Sequence, residues 1–186
     1  MKASSRSAFT LVEVLVVIAI TSLLSGLILS YSSASRDQVA LYVEQAKLSQ
    51  TFAKAKSLTV STYNQPEVPC GYGVHVNYPG ARPLAGEAPN TYTLFSYNPP
   101  ECGSISVLDP AYRTEIATER LPGNLVFKDA DAASLTDILF VPPNPNTWIW
   151  LYGSSGTTTL GEVPITTRSG TLSVTVSVSS AGQISF

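Results

Sequence analysis

The sequence predicts an α+β protein, in which a long N-terminal helix packs on an antiparallel β-sheet or a small β-sandwich. Three observations predict this class. Residues 9–29 are almost entirely apolar, residues 30–62 contain neither proline nor glycine, and the remainder is rich in Ser, Thr, Gly, Pro and Tyr. Apolar residues that recur with a helical period are typical of a helix, and the short segments after them that alternate in polarity are typical of strands.

Residues 9–29 are predicted to form a transmembrane helix. As a helix, these 21 residues cover about 32 Å, which is enough to span a hydrocarbon core of ~30 Å. Lys2 and Arg6 precede the segment, so the positive-inside rule keeps the N-terminus in the cytoplasm and sends the rest of the chain outward. A secretory signal peptide cut after Ser32-Ser33-Ala34 and a plain anchor are the competing interpretations.

Glu13 separates these interpretations. A carboxylate inside a spanning segment costs on the order of 2.5–3.5 kcal/mol at the bilayer centre, and less near an end. Neither a signal peptide nor an inert anchor has a use for such a residue, and the predicted helix offers it no partner. Glu13 therefore predicts a segment that does more than anchor.

The N-terminal residues Ala8-Phe9-Thr10-Leu11-Val12-Glu13, followed by the aliphatic run 14–20, resemble the class III leader junction of type IV pilins and pseudopilins. The resemblance implies that a prepilin peptidase cuts between Ala8 and Phe9 and N-methylates Phe9. It also implies that Glu13, the fifth mature residue, acts in assembly, where the new N-terminal ammonium of the same or a neighbouring subunit neutralises it. The family nearly always has Gly where this chain has Ala8, so we expect slower cleavage.

Four parts are expected along the chain: a cytoplasmic leader peptide at 1–8, a transmembrane and assembly helix at 9–29, its amphipathic continuation at 30–62, and an extracytoplasmic β-rich globular domain at 63–186. In the continuation, apolar residues recur on one face, at Leu41, Leu48, Phe52 and Ala55. This spacing predicts a helix packed on its own globular domain. The charged residues of the segment are expected mostly on other faces, at Asp37, Glu44, Lys47, Lys54 and Lys56.

Strands are predicted where β-branched and aromatic residues cluster between turn residues, at 74–77, 91–97, 125–128, 137–141, 148–152 and 171–179. Ala181-Gly182 predicts a turn into a short strand at 183–186. The charged stretch 109–120 is expected to be a solvated helix or loop. One face of 148–152 is aromatic and predicts sheet packing or a platform for a sugar or a partner.

Cys70 and Cys102 are the two cysteines of the chain, and an even count in an exported domain predicts a disulfide. A zinc or thiol site with His75 is the weaker alternative, because a fourth ligand and metal-binding spacings are absent from the sequence. Asp129, Asp131 and Asp137 form at most a partial calcium loop. We therefore predict no metal, no cofactor and no catalytic residue.

The resemblance implies a structural subunit, a minor pilin or pseudopilin of a type IV pilus or a type II secretion pseudopilus, and is nearest to H-type minor pseudopilins and FimT-like minor pilins. Its partners would be prepilin peptidase, other subunits, the inner-membrane assembly platform and the membrane. Nucleic acid is not expected, since the net charge is −2. The alternatives are a membrane-anchored binding domain and a DNA-binding minor pilin, for which the basic residues of the domain would have to converge, namely Arg82, Arg113, Arg120, Lys128 and Arg168.

Overall fold

The computed structural model describes residues 10–62, 69–80, 88–102, 105, 107–142 and 146–186. The chain divides into two compact units, Met1–Gln38 and Val39–Phe186. Helix α1 comprises Leu11–Thr62, and its residues after Gln38 pack on two antiparallel β-sheets. The predicted α+β class is therefore confirmed.

The first unit is described from Thr10 onward and is helical from Leu11 to its end at Gln38. Within it, Leu11–Ile28 has a mean hydropathy of 2.5 and is long and apolar enough to cross a membrane, and none of this span is buried. The helix tolerates Gly26, at a cost of about 1 kcal/mol relative to alanine, because the surrounding aliphatic run contains no proline.

In the second unit, the predicted stripe of α1 forms part of the core. Leu48, Phe52 and Ala55 are completely buried, and Leu41 is 2% exposed. The expectation for Glu44 is wrong, because this residue follows Leu41 by three positions and lies on the buried face with 3% exposure. Its carboxylate accepts a hydrogen bond from Lys47 Nζ at 2.6 Å, and that lysine extends to the solvent.

In the part of the chain that the structure describes, nine strands form the two sheets. They are β1 Gly71–Asn77, β2 Thr91–Tyr97, β3 Arg113–Arg120, β4 Leu125–Phe127, β5 Leu135–Val141, β6 Asn146–Leu151, β7 Leu160–Thr167, β8 Ser173–Ser179 and β9 Ile184–Ser185. The five-stranded sheet has the order β3-β2-β1-β5-β6, and the four-stranded sheet has the order β4-β7-β8-β9. All these strand pairs are antiparallel.

Two strands were not predicted. The stretch 109–120 was expected to be a solvated helix or loop, but Arg113–Arg120 is an edge strand, and every residue after Arg113 in it is exposed. Charged side chains on such an edge suppress unwanted pairing.

The second strand that was not predicted is β7. It contains Pro164, which argues against a central strand. The Pro164 carbonyl accepts from the Lys128 N–H just beyond the end of β4. Pro164 has no N–H to donate in return, so its place is where the pairing with β4 ends.

The main core lies between the inner faces of the sheets and the stripe of α1. A second apolar cluster covers the other face of the five-stranded sheet, here called the outer face, and contains Phe95, Tyr97, Ile105, Leu108, Leu139 and Trp150. Ile105 and Leu108 belong to the connection between β2 and β3. This connection therefore lies over part of the outer face and positions the site described next.

Candidate functional site

The start of α1 carries the first candidate site. Thr10 precedes the helix, and both its backbone N–H and its hydroxyl donate to Glu13 Oε2 at 2.9 Å. The Glu13 N–H donates back to Thr10 Oγ1 at 3.3 Å. This reciprocal pair is a capping box, which satisfies backbone donors that the first helical turn leaves without partners.

The capping box corrects one expectation, that Glu13 lacks a partner near it. Thr10 supplies two hydrogen bonds, which offset part of the cost of placing the carboxylate in an apolar surrounding. Thr10 carries no positive charge, however. A cation that approaches Glu13 would therefore still lower the free energy of burying this carboxylate.

The apolar surface of Leu11–Ile28 is the second feature of this site. Large side chains on every side of the helix are exposed, including Leu11 at 81%, Leu23 at 70% and Ile28 at 68%. Soluble monomers rarely expose apolar patches of more than a few hundred Å². Lipid tails or neighbouring apolar helices are the surroundings that suit this surface.

The predicted cleavage site and the predicted methylation site, Ala8 and Phe9, lie outside the described residues. The same holds for Lys2 and Arg6, on which the predicted orientation rests. Cleavage, methylation and the assembly role of Glu13 therefore stay predictions.

A disulfide joins Cys70 and Cys102, with their Cα atoms 5.4 Å apart, as the sequence predicts. It connects the residue before β1 to the connection that follows β2. Because both sulfur atoms are used in this bond, neither is available as a zinc ligand or as a nucleophile. Among the residues that the structure describes, no group of His, Cys, Asp and Glu is arranged to hold a metal ion.

Three charged or titratable side chains meet on the outer face, here called the ion triad: His75, Arg113 and Asp137. His75 and Asp137 are cross-strand partners on β1 and β5, and His75 Nδ1 lies 2.8 Å from Asp137 Oδ1. Arg113 Nη1 lies 3.0 Å from the same oxygen. Burial by itself would raise the pKa of Asp137, but the hydrogen bond with His75 and the charges of His75 and Arg113 outweigh it and lower that pKa.

Arg113 reaches Asp137 across two intervening strands. Its guanidinium carbon lies 4.9 Å from the centroid of the Phe95 ring, a cation–π geometry. The Phe95 ring in turn occupies the space over Gly73, where a Cβ atom would come within 2.5 Å of it. Gly73 is therefore required because a side chain there would displace the Phe95 ring. That ring in turn packs against the Arg113 guanidinium.

A cleft of about 570 Å³ opens beside the ion triad. Its lining combines the triad with the polar residues Asn77 and Thr136 and with apolar residues from the flanking connections, namely Leu108, Pro110 and Tyr152. Sequence reasoning expected His75 to be a surface or cross-strand residue, and its cross-strand pairing is confirmed. The contact of Arg113 with Asp137 was not predicted, because it depends on the strand register and on the space over Gly73.

The acidic residues considered for calcium do not act together. The Asp131 carboxylate accepts from the Ser134 hydroxyl at 2.8 Å and from the Ala133 N–H at 3.0 Å, so it caps its own turn. These hydrogen bonds lower the pKa of Asp131. Asp137 instead belongs to the ion triad, and Asp129 is exposed.

The described basic residues considered for DNA are spread over the domain, and Lys128 and Arg168 lie just beyond opposite ends of the β4–β7 pair. Arg113 is buried to nine-tenths of its side chain and is paired with Asp137. Arg120 stands at the opposite end of the same strand, and Arg82 lies outside the described residues. The structure therefore offers no support for a DNA-binding surface built on these residues.

Comparison with known proteins identifies the N-terminal segment. Residues 3–29 match the family model described as the prokaryotic N-terminal methylation motif. This segment corresponds to the class III leader of type IV pilin-like proteins, as the sequence predicts. The match does not extend into the β-rich unit, and the chain matches no curated protein and no solved structure.

Proposed function

We propose that the protein is a structural subunit, a minor pilin or pseudopilin, of a type IV pilus or a type II secretion pseudopilus. The observation that carries this proposal is the methylation motif at residues 3–29 on a helix whose apolar span is wholly exposed. Such a motif marks a substrate of prepilin peptidase. An exposed apolar helix in the same chain supplies a means of storage in the membrane and of packing in a filament.

The proposed maturation removes residues 1–8 by cleavage between Ala8 and Phe9 and methylates the new amino group of Phe9. Thr10 and Glu13 both lie on the mature side of this cut, so the capping box survives it. The amino group then stands next to Thr10. An ammonium there, on the same or on a neighbouring subunit, neutralises Glu13 when the helices leave the bilayer for the filament.

In this function the two units have different roles. The apolar part of α1 associates with other subunits and with the inner-membrane assembly platform, first in the cytoplasmic membrane with the N-terminus inside. The β-rich unit, whose core includes Leu48 and Phe52 of the same helix, is displayed outside the cytoplasm. The proposed function uses no catalytic residue and no cofactor.

Intact-mass measurement tests the processing step. The full chain is expressed in membranes with and without a prepilin peptidase, and the expected product with the enzyme lacks Met1–Ala8 and carries one added methyl group. Ala8→Gly should be processed faster, and Ala8→Glu, which places a charge at the cut, should be processed poorly. A mature protein that begins at Ser35 would instead identify a secretory signal peptide.

Incorporation into filaments tests the assembly step separately. In cells that produce the filament, Glu13→Gln should be processed normally but should be depleted from the sheared filament fraction. Glu101→Gln changes an exposed carboxylate of the β-rich unit and should be incorporated like the unaltered chain. Equal incorporation of the Glu13 and Glu101 variants would contradict the assembly role of Glu13.

A further inference from the structure

The cleft on the outer face has the dimensions and lining of a small-molecule site. Its volume of about 570 Å³ lies within the range of roughly 300–1,000 Å³ that is usual for ligand pockets. Such sites combine apolar walls with a few convergent polar groups. Here Leu108, Pro110 and Tyr152 supply the apolar part, and the ion triad supplies the polar part.

The charges of the ion triad restrict the chemistry of the ligand. An anion near the triad meets the carboxylate of Asp137, and a cation meets the guanidinium of Arg113 and the ring of His75, since both of these groups contact Asp137 Oδ1, at 3.0 and 2.8 Å. A wholly apolar ligand would remove water from both charges without replacing their hydrogen bonds. Neutral hydroxyl groups avoid all three costs, because each hydroxyl donates to a carboxylate and accepts from a guanidinium.

The rim of the cleft suits a ring with an apolar face. Tyr152 is 38% exposed, so its aromatic ring is accessible at the edge of the cleft. Gly80 and Gly153 also line the cleft, and no atom of the described residues lies within 4 Å of the place where either would carry a Cβ atom. A flat ligand can therefore approach the backbone closely and place its C–H surface against the aromatic ring.

We infer that this cleft binds a neutral sugar ring, whose hydroxyl groups hydrogen-bond with the ion triad and whose C–H face packs on Tyr152. This binding does not depend on the proposed function. A subunit that assembles into a filament would gain a binding surface, and a chain that only anchors in the membrane would have the same surface. The two ideas are therefore tested by separate experiments.

Calorimetric titration of the full chain in lipid nanodiscs tests the inference. Alkyl glycoside detergents are avoided, because their sugar head groups would compete for the cleft. The neutral probes are glucose, galactose, mannose and N-acetylglucosamine, and the charged analogues are glucuronate and glucosamine. At least one neutral sugar should bind, and glucuronate and glucosamine should each bind at least tenfold more weakly than that sugar, since like charges in contact cost more than that factor.

Two tyrosine variants locate the binding site. Tyr152→Ala should weaken the binding of the neutral sugar about fivefold to tenfold, as expected for the loss of one aromatic contact. Tyr42→Ala removes the same side chain from an exposed position of α1 that does not line this cleft, and binding should be unchanged. Circular dichroism shows whether each variant is folded.

Three results would overturn the inference. They are the absence of binding by every neutral probe, equal binding of neutral and charged probes, and unchanged binding in a folded Tyr152→Ala variant.

Discussion

The substitution Asp137→Asn tests whether the ion triad stabilises the β-rich unit. Asparagine keeps the shape of the side chain but removes its charge, so Arg113 and His75 lose their shared acceptor charge at 3.0 and 2.8 Å. Removal of one partner from a buried ion pair costs about 3–5 kcal/mol. Because the three side chains keep 10–14% exposure, we expect a loss near the lower end, about 3 kcal/mol of unfolding free energy at pH 7.

The pH dependence gives this prediction a second, independent signature. The pKa of Asp137 is lowered in the folded state, because its contacts with His75 and Arg113 outweigh the opposing effect of burial. A lowered carboxyl pKa stabilises the fold above the unfolded-state pKa, which is about 3.9. This stabilisation is lost as the pH falls through the folded-state pKa. The difference between the unaltered chain and the Asn variant should therefore be complete at neutral pH and should shrink below about pH 4.

The assay is urea unfolding of the full chain in nanodiscs, followed by tryptophan fluorescence. Both tryptophans, Trp148 and Trp150, lie on β6, so the signal reports on the sheet that carries the triad. Asp129→Asn is the matched control, since Asp129 is exposed and its change should stay within about 0.5 kcal/mol. If the Asp137 and Asp129 variants unfold at the same urea concentration at pH 7, the stabilising role of the triad is refuted.

Three further predictions concern the core and its cross-link. Replacement of Cys70 and Cys102 together by serine should lower the unfolding free energy of the β-rich unit by about 3–4 kcal/mol. In urea unfolding, a reductant should destabilise the unaltered chain by a similar amount and should leave the serine variant unchanged. Phe52→Ala should cost about 3–5 kcal/mol, because the side chain is completely buried. Val60→Ala, at a residue 58% exposed, should cost much less in the same titration. Burial raises the pKa of Tyr78, so stability should be complete below pH ~10 and should fall as the pH rises above it. Tyr78→Phe should reduce this alkaline loss and should cost about 1 kcal/mol at pH 7, since the hydroxyl donates to a buried carbonyl at 2.9 Å.

The sequence predicted those elements whose signal is local. Strand β2 begins and ends at the predicted residues Thr91 and Tyr97, because a β-branched and aromatic run there lies between prolines and polar turn residues. The stripe of α1 was found from spacing alone, since burial against one core imposes a helical period on Leu41, Leu48 and Phe52. The Ala181-Gly182 turn was equally visible, and Gly182 adopts a positive φ of 70° in it.

The elements that escaped prediction depend on partners that are distant in the chain. After Arg113, strand β3 is exposed on both faces because it lies at a sheet edge, and an alternating pattern requires one buried face. Glu44 occupies a core-facing position because Lys47 follows it and reaches the solvent. The contact of Arg113 with Asp137 needs the register of three strand pairs, and no local pattern encodes it.

The capping box changes what Glu13 implies about assembly. From the sequence alone, burying the Glu13 carboxylate in an apolar surrounding was expected to cost free energy that only another subunit or the new N-terminus could offset. With Thr10 donating twice to the same oxygen, the acid is held at the first turn before any partner arrives. The capping bonds leave the charge itself in place, four residues along the chain from the predicted new N-terminus at Phe9. In the proposed assembly role, a cation would meet a carboxylate that Thr10 already holds in position, which would lower the conformational entropy lost in the encounter.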